Sequence, residues 1–273
     1  MARYKLILAY DGGAYWGSQR QARKRTVQGE LERALRDLGW SDRAVLLAGR
    51  TDRGVHARGQ VAAFDLAWPH AEQRLLSALN ARLPADMSVQ TISEASTAFH
   101  PRFDAVSRSY TYHVFFGPVR DPLRDRYAWR VWPTASEALL EETAASFLGC
   151  HDFSGFGSVP GGKGTSVRTV TRSEWARVNG EWQYRVTCEA FLYRMVRRIV
   201  FAQVAVAQGR CSPDAIRHAL QRPAGARARP HRGIPAGLAP AQGLTLSEVS
   251  YGSTGQQWKR RTESVQDVLP ESR

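Results

Sequence analysis

The chain has 273 residues, of which 43% are hydrophobic, 10% aromatic and 23% charged, a balance that supports a sizeable buried core and excludes a disordered or collagen-like chain. Lys and Arg number 38 against 25 Asp and Glu, so the formal charge is +13 and the isoelectric point is near 10.3; such a surface steers polyanions and makes nucleic acid the first partner to consider. Cys150, Cys188 and Cys211 are too far apart for a disulfide framework or a Cys-x-x-Cys pair, and no apolar run reaches membrane-spanning length, so an untargeted, soluble protein of the reducing cytoplasm is expected.

Tyr4 to Tyr10 is rich in strand formers, and Thr26 to Leu38 then places Val27, Leu31, Ala34, Leu35 and Leu38 at helical spacing before Gly39. A strand is expected near Gln60 to Leu66, a helix near Ala71 to Leu79 and, beyond the breaker Pro84, a strand near Ser88 to Ile92. Tyr110, Tyr112, Val114 and Phe116 alternate along one strand face ahead of Gly117-Pro118. Thr134 and Glu137 have capping-box spacing before a helix that should stop at Gly149. Asn179-Gly180 lies between the alternating runs Arg172 to Val178 and Glu181 to Glu189, the pattern of a tight hairpin, which demands antiparallel neighbours and argues against a doubly wound parallel sheet. A helix over Leu192 to Gln208 follows, Ser212-Pro213 opens another, and the last strand is expected at Leu244 to Tyr251. The stretch 222–237 reads as a basic loop and 253–273 as a disordered tail. The order of elements is therefore α+β, and two similar halves, 1–104 and 105–252, are the simplest architecture.

The segment richest in chemistry is Ala48-Gly49-Arg50-Thr51-Asp52-Arg53-Gly54-Val55-His56-Ala57-Arg58-Gly59-Gln60-Val61, which has neither helical nor strand period. One carboxylate, Asp52, stands among Arg50, Arg53 and Arg58, cations that also offer forks to phosphate. Taken alone, such a segment is more often a polar turn with a structural Asp–Arg pair. His56 lies beside it, but no second His, Cys or carboxylate stands at metal-ligand spacing, so no metal and no cofactor is expected. Tyr110 reads by itself as a core tyrosine, and Arg194, Arg197 and Arg198 read equally as a solvated stripe or a phosphate track. Gly157 with Gly162-Lys163 mimics a phosphate loop, yet Gly164 stands where Ser or Thr is needed, which argues against nucleotide hydrolysis.

The motif resembles the signature of the bacterial tRNA pseudouridine synthase A family, and the resemblance runs along nearly the whole chain. It includes Tyr10-Asp11-Gly12, Gly17 with Gln19-Arg20-Gln21, Val27-Gln28, Asn80, Leu83-Pro84, Asp86, Phe99-His100, Arg102-Phe103, Arg108, Tyr110 and Tyr112, and continues through Asp152-Phe153-Ser154, Arg168-Thr169, Phe191, Met195-Val196-Arg197 and Gly243-Leu244. One departure stands out: between Gly17 and Gln19, where the family carries Trp, this chain has Ser18, with Trp16 two places earlier. The resemblance implies that Asp52 is the catalytic aspartate, that Arg50 salt-bridges it and takes the place of the flipped nucleotide, that Tyr110 stacks on the target uracil, and that Arg197 and Leu244 line the pocket. It makes Arg53, His56, Arg58, Arg194 and Arg198 candidate tRNA contacts. It further implies an α/β fold in which the two halves share a central, mostly antiparallel sheet flanked by helices, and a homodimeric isomerase that converts uridine to pseudouridine at tRNA positions 38, 39 and 40, without metal or membrane. The chief rival reading is a non-catalytic tRNA- or RNA-binding module, which would have no need of an encircled aspartate; a second, a carboxylate-dependent RNA nuclease or glycosidase, would call for two acidic groups at the bond where this motif supplies one.

Overall fold

Strand β1 (Ala2–Tyr10) buries every second residue, Tyr4, Leu6, Leu8 and Tyr10, as a half-buried strand must. In the computed structural model, which describes residues 1–159, 161, 164–221 and 233–252, this strand belongs to a ten-stranded sheet. Helix α1 (Val27–Arg36) is capped by the Thr26 side chain, which accepts from Gly29 N–H, and it buries Val27, Leu31, Ala34 and Leu35 at the spacing the sequence predicts. There follow β2 (Leu46–Leu47), β3 (His56–Leu66), α2 (Glu72–Asn80) and β4 (Met87–Ala95), with β1 paired antiparallel to both β3 and β4.

The chain continues through β5 (Ser107–Phe116), β6 (Trp129–Val131), α3 (Glu137–Ala145), β7 (Gly149–Asp152), β8 (Val167–Val178), β9 (Glu181–Cys188), α4 (Met195–Ala207), α5 (Pro213–Leu220) and β10 (Leu244–Ser250). The strand order is β4-β1-β3-β10-β5-β9-β8-β7, with β2 on β3 and β6 on β5; only β3–β10 and β5–β6 are parallel. The sheet is thus mostly antiparallel, as expected. Asn179 and Gly180 turn the β8–β9 hairpin with φ of 51° and 78°, the two positive values a tight two-residue turn needs. Helices α3 and α4 cover one face, where Trp175 Nε1 donates to Gln203 Oε1 at 2.8 Å and the Ser173 hydroxyl donates to Ala144 C=O at 2.7 Å. The other face carries hydroxyl pairs, Ser109 with Thr187 at 2.9 Å and Thr111 with Ser247 at 2.8 Å.

The last strand makes the seam. β10 inserts between β3 and β5, setting Leu246 opposite Ala57 on one side and Tyr110 on the other, so that the strand after Asp52 and the strand of Tyr110 run about 10 Å apart. The close approach needs Gly59, because a Cβ there would lie 2.3 Å from the Ser247 carbonyl oxygen.

Several local readings are corrected. The cap of α3 is Ser136, whose hydroxyl accepts from Leu139 N–H, and not Thr134, and the helix ends at Ala145, so Gly149 opens β7. Strand β3 begins at His56, inside the segment that shows no strand period, because pairing with β1 and β10 overrides its local composition. α4 begins at Met195 because Arg194 is left-handed, with φ 63°. β2, β6 and β7, of two, three and four residues, are too short to leave a periodic signal. Of the expected basic loop 222–237, residues 222–232 lie outside the described residues, as does the expected tail 253–273.

Candidate active site

The loop between β2 and β3 is held by side chains from three directions. Buried Gln60 accepts from Gly49 N–H at 3.3 Å and donates to Gly49 C=O at 2.9 Å. Two residues on, Thr51 N–H donates to Ser18 Oγ at 2.8 Å, Thr51 C=O accepts from Ser18 N–H at 3.1 Å, and the Thr51 hydroxyl lies 2.8 Å from the Tyr10 hydroxyl. Val55 N–H closes the turn on Asp52 C=O at 3.1 Å. Behind the loop, Arg108 donates to the carbonyls of Ala48, Arg102, Ala105 and Glu189 at 3.2, 2.6, 3.3 and 2.7 Å, and burial pushes its pKa down.

The half-buried Asp52 carboxylate accepts through Oδ2 from Arg197 Nη1 at 3.0 Å, and Arg194 Nε lies 4.0 Å from the same oxygen. Oδ1 has no hydrogen-bond partner among the described residues. Arg197, in the first turn of α4, is fixed on its other side, since its Nε donates to Ala239 C=O at 2.8 Å and its own C=O accepts from Ala239 N–H at 3.2 Å. Arg50, expected as the partner of Asp52, is exposed and makes no ion pair among the described residues; Arg197 arrives at the carboxylate from 145 residues away. No local pattern could report that approach.

Tyr110 is buried on β5, edge to face with Phe191 at 5.1 Å. Burial pushes its hydroxyl pKa well up, and the charge of Asp52 adds to the rise, which puts the two groups in one electrostatic neighbourhood. Tyr112 is the satisfied core tyrosine of the pair, donating to Pro240 C=O at 2.7 Å. Leu244, also buried, opens β10 opposite Tyr112.

The candidate contacts divide by position. Arg53 is exposed and stacks 3.8 Å from the Trp16 ring centroid, with Lys24 at 3.9 Å from the same ring. Arg194 and Arg198 are exposed at the start of α4. Arg58 is exposed on β3, where its charge acts on His113, and His113 alternates to the sheet face opposite Tyr110. His56 is buried, with Nδ1 accepting from Gly12 N–H at 3.0 Å and lying 3.1 Å from Asp11 Oδ1. Its ring packs against Tyr127 at 5.2 Å, and burial lowers its pKa against the opposing pull of Asp11. A buried imidazole so placed supports the loop from inside rather than presenting a surface to RNA. Ser18, Tyr10 and Arg108 are the site residues that reasoning from residue types misses, since a lone hydroxyl or arginine outside the motif has no pattern of its own.

Among the described residues no group of three or more His, Cys, Asp or Glu is placed to hold a metal ion, and no helix is long and apolar enough to cross a membrane. The arrangement offers one carboxylate with one oxygen anchored and one unengaged, flanked by Arg194 and Arg197 and within electrostatic reach of buried Tyr110. Such a site suits nucleophilic chemistry on a planar base carried by a polyanion.

Comparison with known proteins agrees with that chemistry. The sequence profile of a family described as tRNA pseudouridine synthase matches residues 6–104 and 143–252. Among curated relatives, tRNA pseudouridine synthase A of Maridesulfovibrio salexigens is 37% identical over 262 residues, spanning 93% of this chain and 92% of the relative. The protein of that name from Brevibacillus brevis is 39% identical, over 92% of this chain and all of the relative. That from Bacillus subtilis is 38% identical, over 91% of this chain and 99% of the relative.

Proposed function

The chain belongs to the tRNA pseudouridine synthase family, whose members are isomerases of uridine in tRNA, and from that premise we propose that it converts uridine to pseudouridine in the anticodon stem-loop, at tRNA positions 38, 39 and 40, with Asp52 as nucleophile. The observation that carries the reading is the carboxylate itself, with Oδ2 held by Arg197 and Oδ1 unengaged, on a loop clamped at Gly49 and Thr51. The reaction breaks the N1–C1′ glycosidic bond, turns the uracil and joins C5 to C1′; C5 gives up its proton to solvent and N1 takes one up, so the product is an isomer of the substrate. Uracil keeps its atoms, so the chemistry calls for a nucleophile and a sheltered pocket; the Asp52 carboxylate serves attack at C1′ and at C6 alike.

The remaining roles follow from placement. Tyr110, with Phe191 behind it, is the platform for the flipped uracil, and stacking of this kind offsets the few kcal/mol that unstacking costs. Leu244, which opens β10 opposite Tyr112, is assigned to the lining of the same pocket. Arg197 orients the carboxylate, while exposed Arg53, Arg194 and Arg198 meet RNA phosphates and exposed Arg50 fills the gap left by the flipped nucleotide. Residues 1–104 supply the nucleophile loop and 105–252 complete the cleft. The working species is a cytoplasmic homodimer, which light scattering should register at twice the chain mass. The catalytic role is tested by tritium release from tRNA labelled at uridine C5. Wild type should release label and Asp52→Ala should not, while both bind tRNA; release by the bound variant would remove Asp52 from the chemistry, and none from either protein would leave an RNA-binding module.

A further inference from the structure

Thr51, the residue before Asp52, has all three of its polar groups engaged by β1 and the segment that follows it. Its N–H donates to Ser18 Oγ at 2.8 Å, its C=O accepts from Ser18 N–H at 3.1 Å, and its hydroxyl meets the Tyr10 hydroxyl at 2.8 Å. Ser18 and Tyr10 are themselves buried and held in place. Ser18 is fully buried, and its carbonyl accepts from Gln28 N–H at 2.9 Å, which ties it to the first turn of α1. Tyr10 is buried at the end of β1, where burial raises its hydroxyl pKa to about 12. The two bonds between Ser18 and Thr51 close a ring that fixes the peptide groups on both sides of Thr51, and the C-terminal one of those is the peptide that carries Asp52.

The acceptor in that ring is a side-chain hydroxyl, and only some residue types supply one. Tryptophan, which the family resemblance places at this position, has a donor but no acceptor. A chain with Trp here would have to satisfy the Thr51 N–H in another way.

We propose that Ser18 is a positioning residue for Asp52, acting through Thr51 together with Tyr10, and that this chain uses a hydroxyl clamp to set its nucleophile. The inference rests on the reading of Asp52 as nucleophile. Removing the Ser18 oxygen frees the Thr51 N–H in a buried place and lets the Asp52 carboxylate drift relative to C1′ and C6, where a displacement of about 1 Å can cost a hundredfold in rate. Arg194 and Arg198, at the start of α4, keep their places, and the Ser18 N–H still holds the loop of Arg50 and Arg53 through Thr51 C=O, so binding of the tRNA body changes far less than the rate.

The test is single-turnover tritium release from saturating C5-labelled tRNA, per folded molecule, with tRNA affinity and melting temperature measured alongside. Ser18→Ala should lower the rate about tenfold or more and leave affinity within about twofold. Tyr10→Phe should lower it as well, and the double variant should lose less than the product of the two single losses, because both act on one residue. A merely structural Ser18 would lower the melting temperature and leave the rate per folded molecule at the wild-type value, and that result overturns the proposal. If Ser18→Ala does not fold, Ser18→Cys, a weaker acceptor of similar size, carries the same test: a reduced rate with affinity kept supports the clamp, and a wild-type rate overturns it. Asp52→Asn separates the two levels. Should it remain active, the nucleophile reading fails; should it be inactive while Ser18→Ala is at wild-type rate, only the clamp fails.

Discussion

Replacing Arg197 by Met removes a charge while keeping much of the side-chain length, and the structure sets what is lost. The guanidinium donates to Asp52 Oδ2 at 3.0 Å and to Ala239 C=O at 2.8 Å, and it retains only 12% of its side-chain surface. A hydrogen bond to a charged group contributes about 1.5–3 kcal/mol in such a setting. With about 1.4 kcal/mol per factor of ten, the loss at Asp52 alone predicts a fall of about 10- to 100-fold in the single-turnover rate of tritium release from C5-labelled tRNA. Arg197→Lys should recover part of this and not all, because one ammonium cannot span both the carboxylate and the Ala239 carbonyl as the planar fork does. Arg50→Met, which removes a group with no ion pair to Asp52, should instead act through tRNA affinity. A wild-type rate for Arg197→Met, or a loss of rate at unchanged affinity for Arg50→Met, would refute the assignment of Arg197 as the partner of Asp52.

Three further outcomes are expected. His56 and His113 have folded pKa values held below their ordinary ones, mainly by burial, so the unfolded chain binds more protons as the pH falls through the ordinary imidazole range near 6.5; stability should be full above that range and drop on acidification below it, and His113→Gln should flatten the fall in melting temperature between about pH 7.5 and 5.5. Arg108→Met leaves four carbonyls from three stretches of chain without their donor, and urea unfolding should show a loss of about 3 kcal/mol or more. Gly180→Ala, at a φ of 78° in the β8–β9 turn and outside the site, should cost about 1 kcal/mol in the same assay with tritium release unchanged.

Elements with a strong period were legible from residues alone. The apolar rows of β1, α1 and β5, the Asn-Gly turn and the Ser212-Pro213 cap of α5 each follow from local chemistry, since a strand shows alternate faces, a helix shows one stripe, and two positive φ values select Asn-Gly. The loop that carries Asp52 stood out too, because its Gly, Arg and Asp belong to a string long enough to carry a family resemblance. What residue types could not show is how distant pieces meet. β10 reaches the centre of the sheet from the end of the described chain, and only its pairing with both β3 and β5 brings the Asp52 loop beside Tyr110. Arg197 displaces Arg50 as the partner of Asp52 because α4 ends its approach at that carboxylate, a fact of packing across 145 residues. Ser18 acquires a role only when α1 and β3 press the two loops together, since a hydroxyl becomes an acceptor for one particular N–H through proximity and not through any feature of its own sequence neighbourhood.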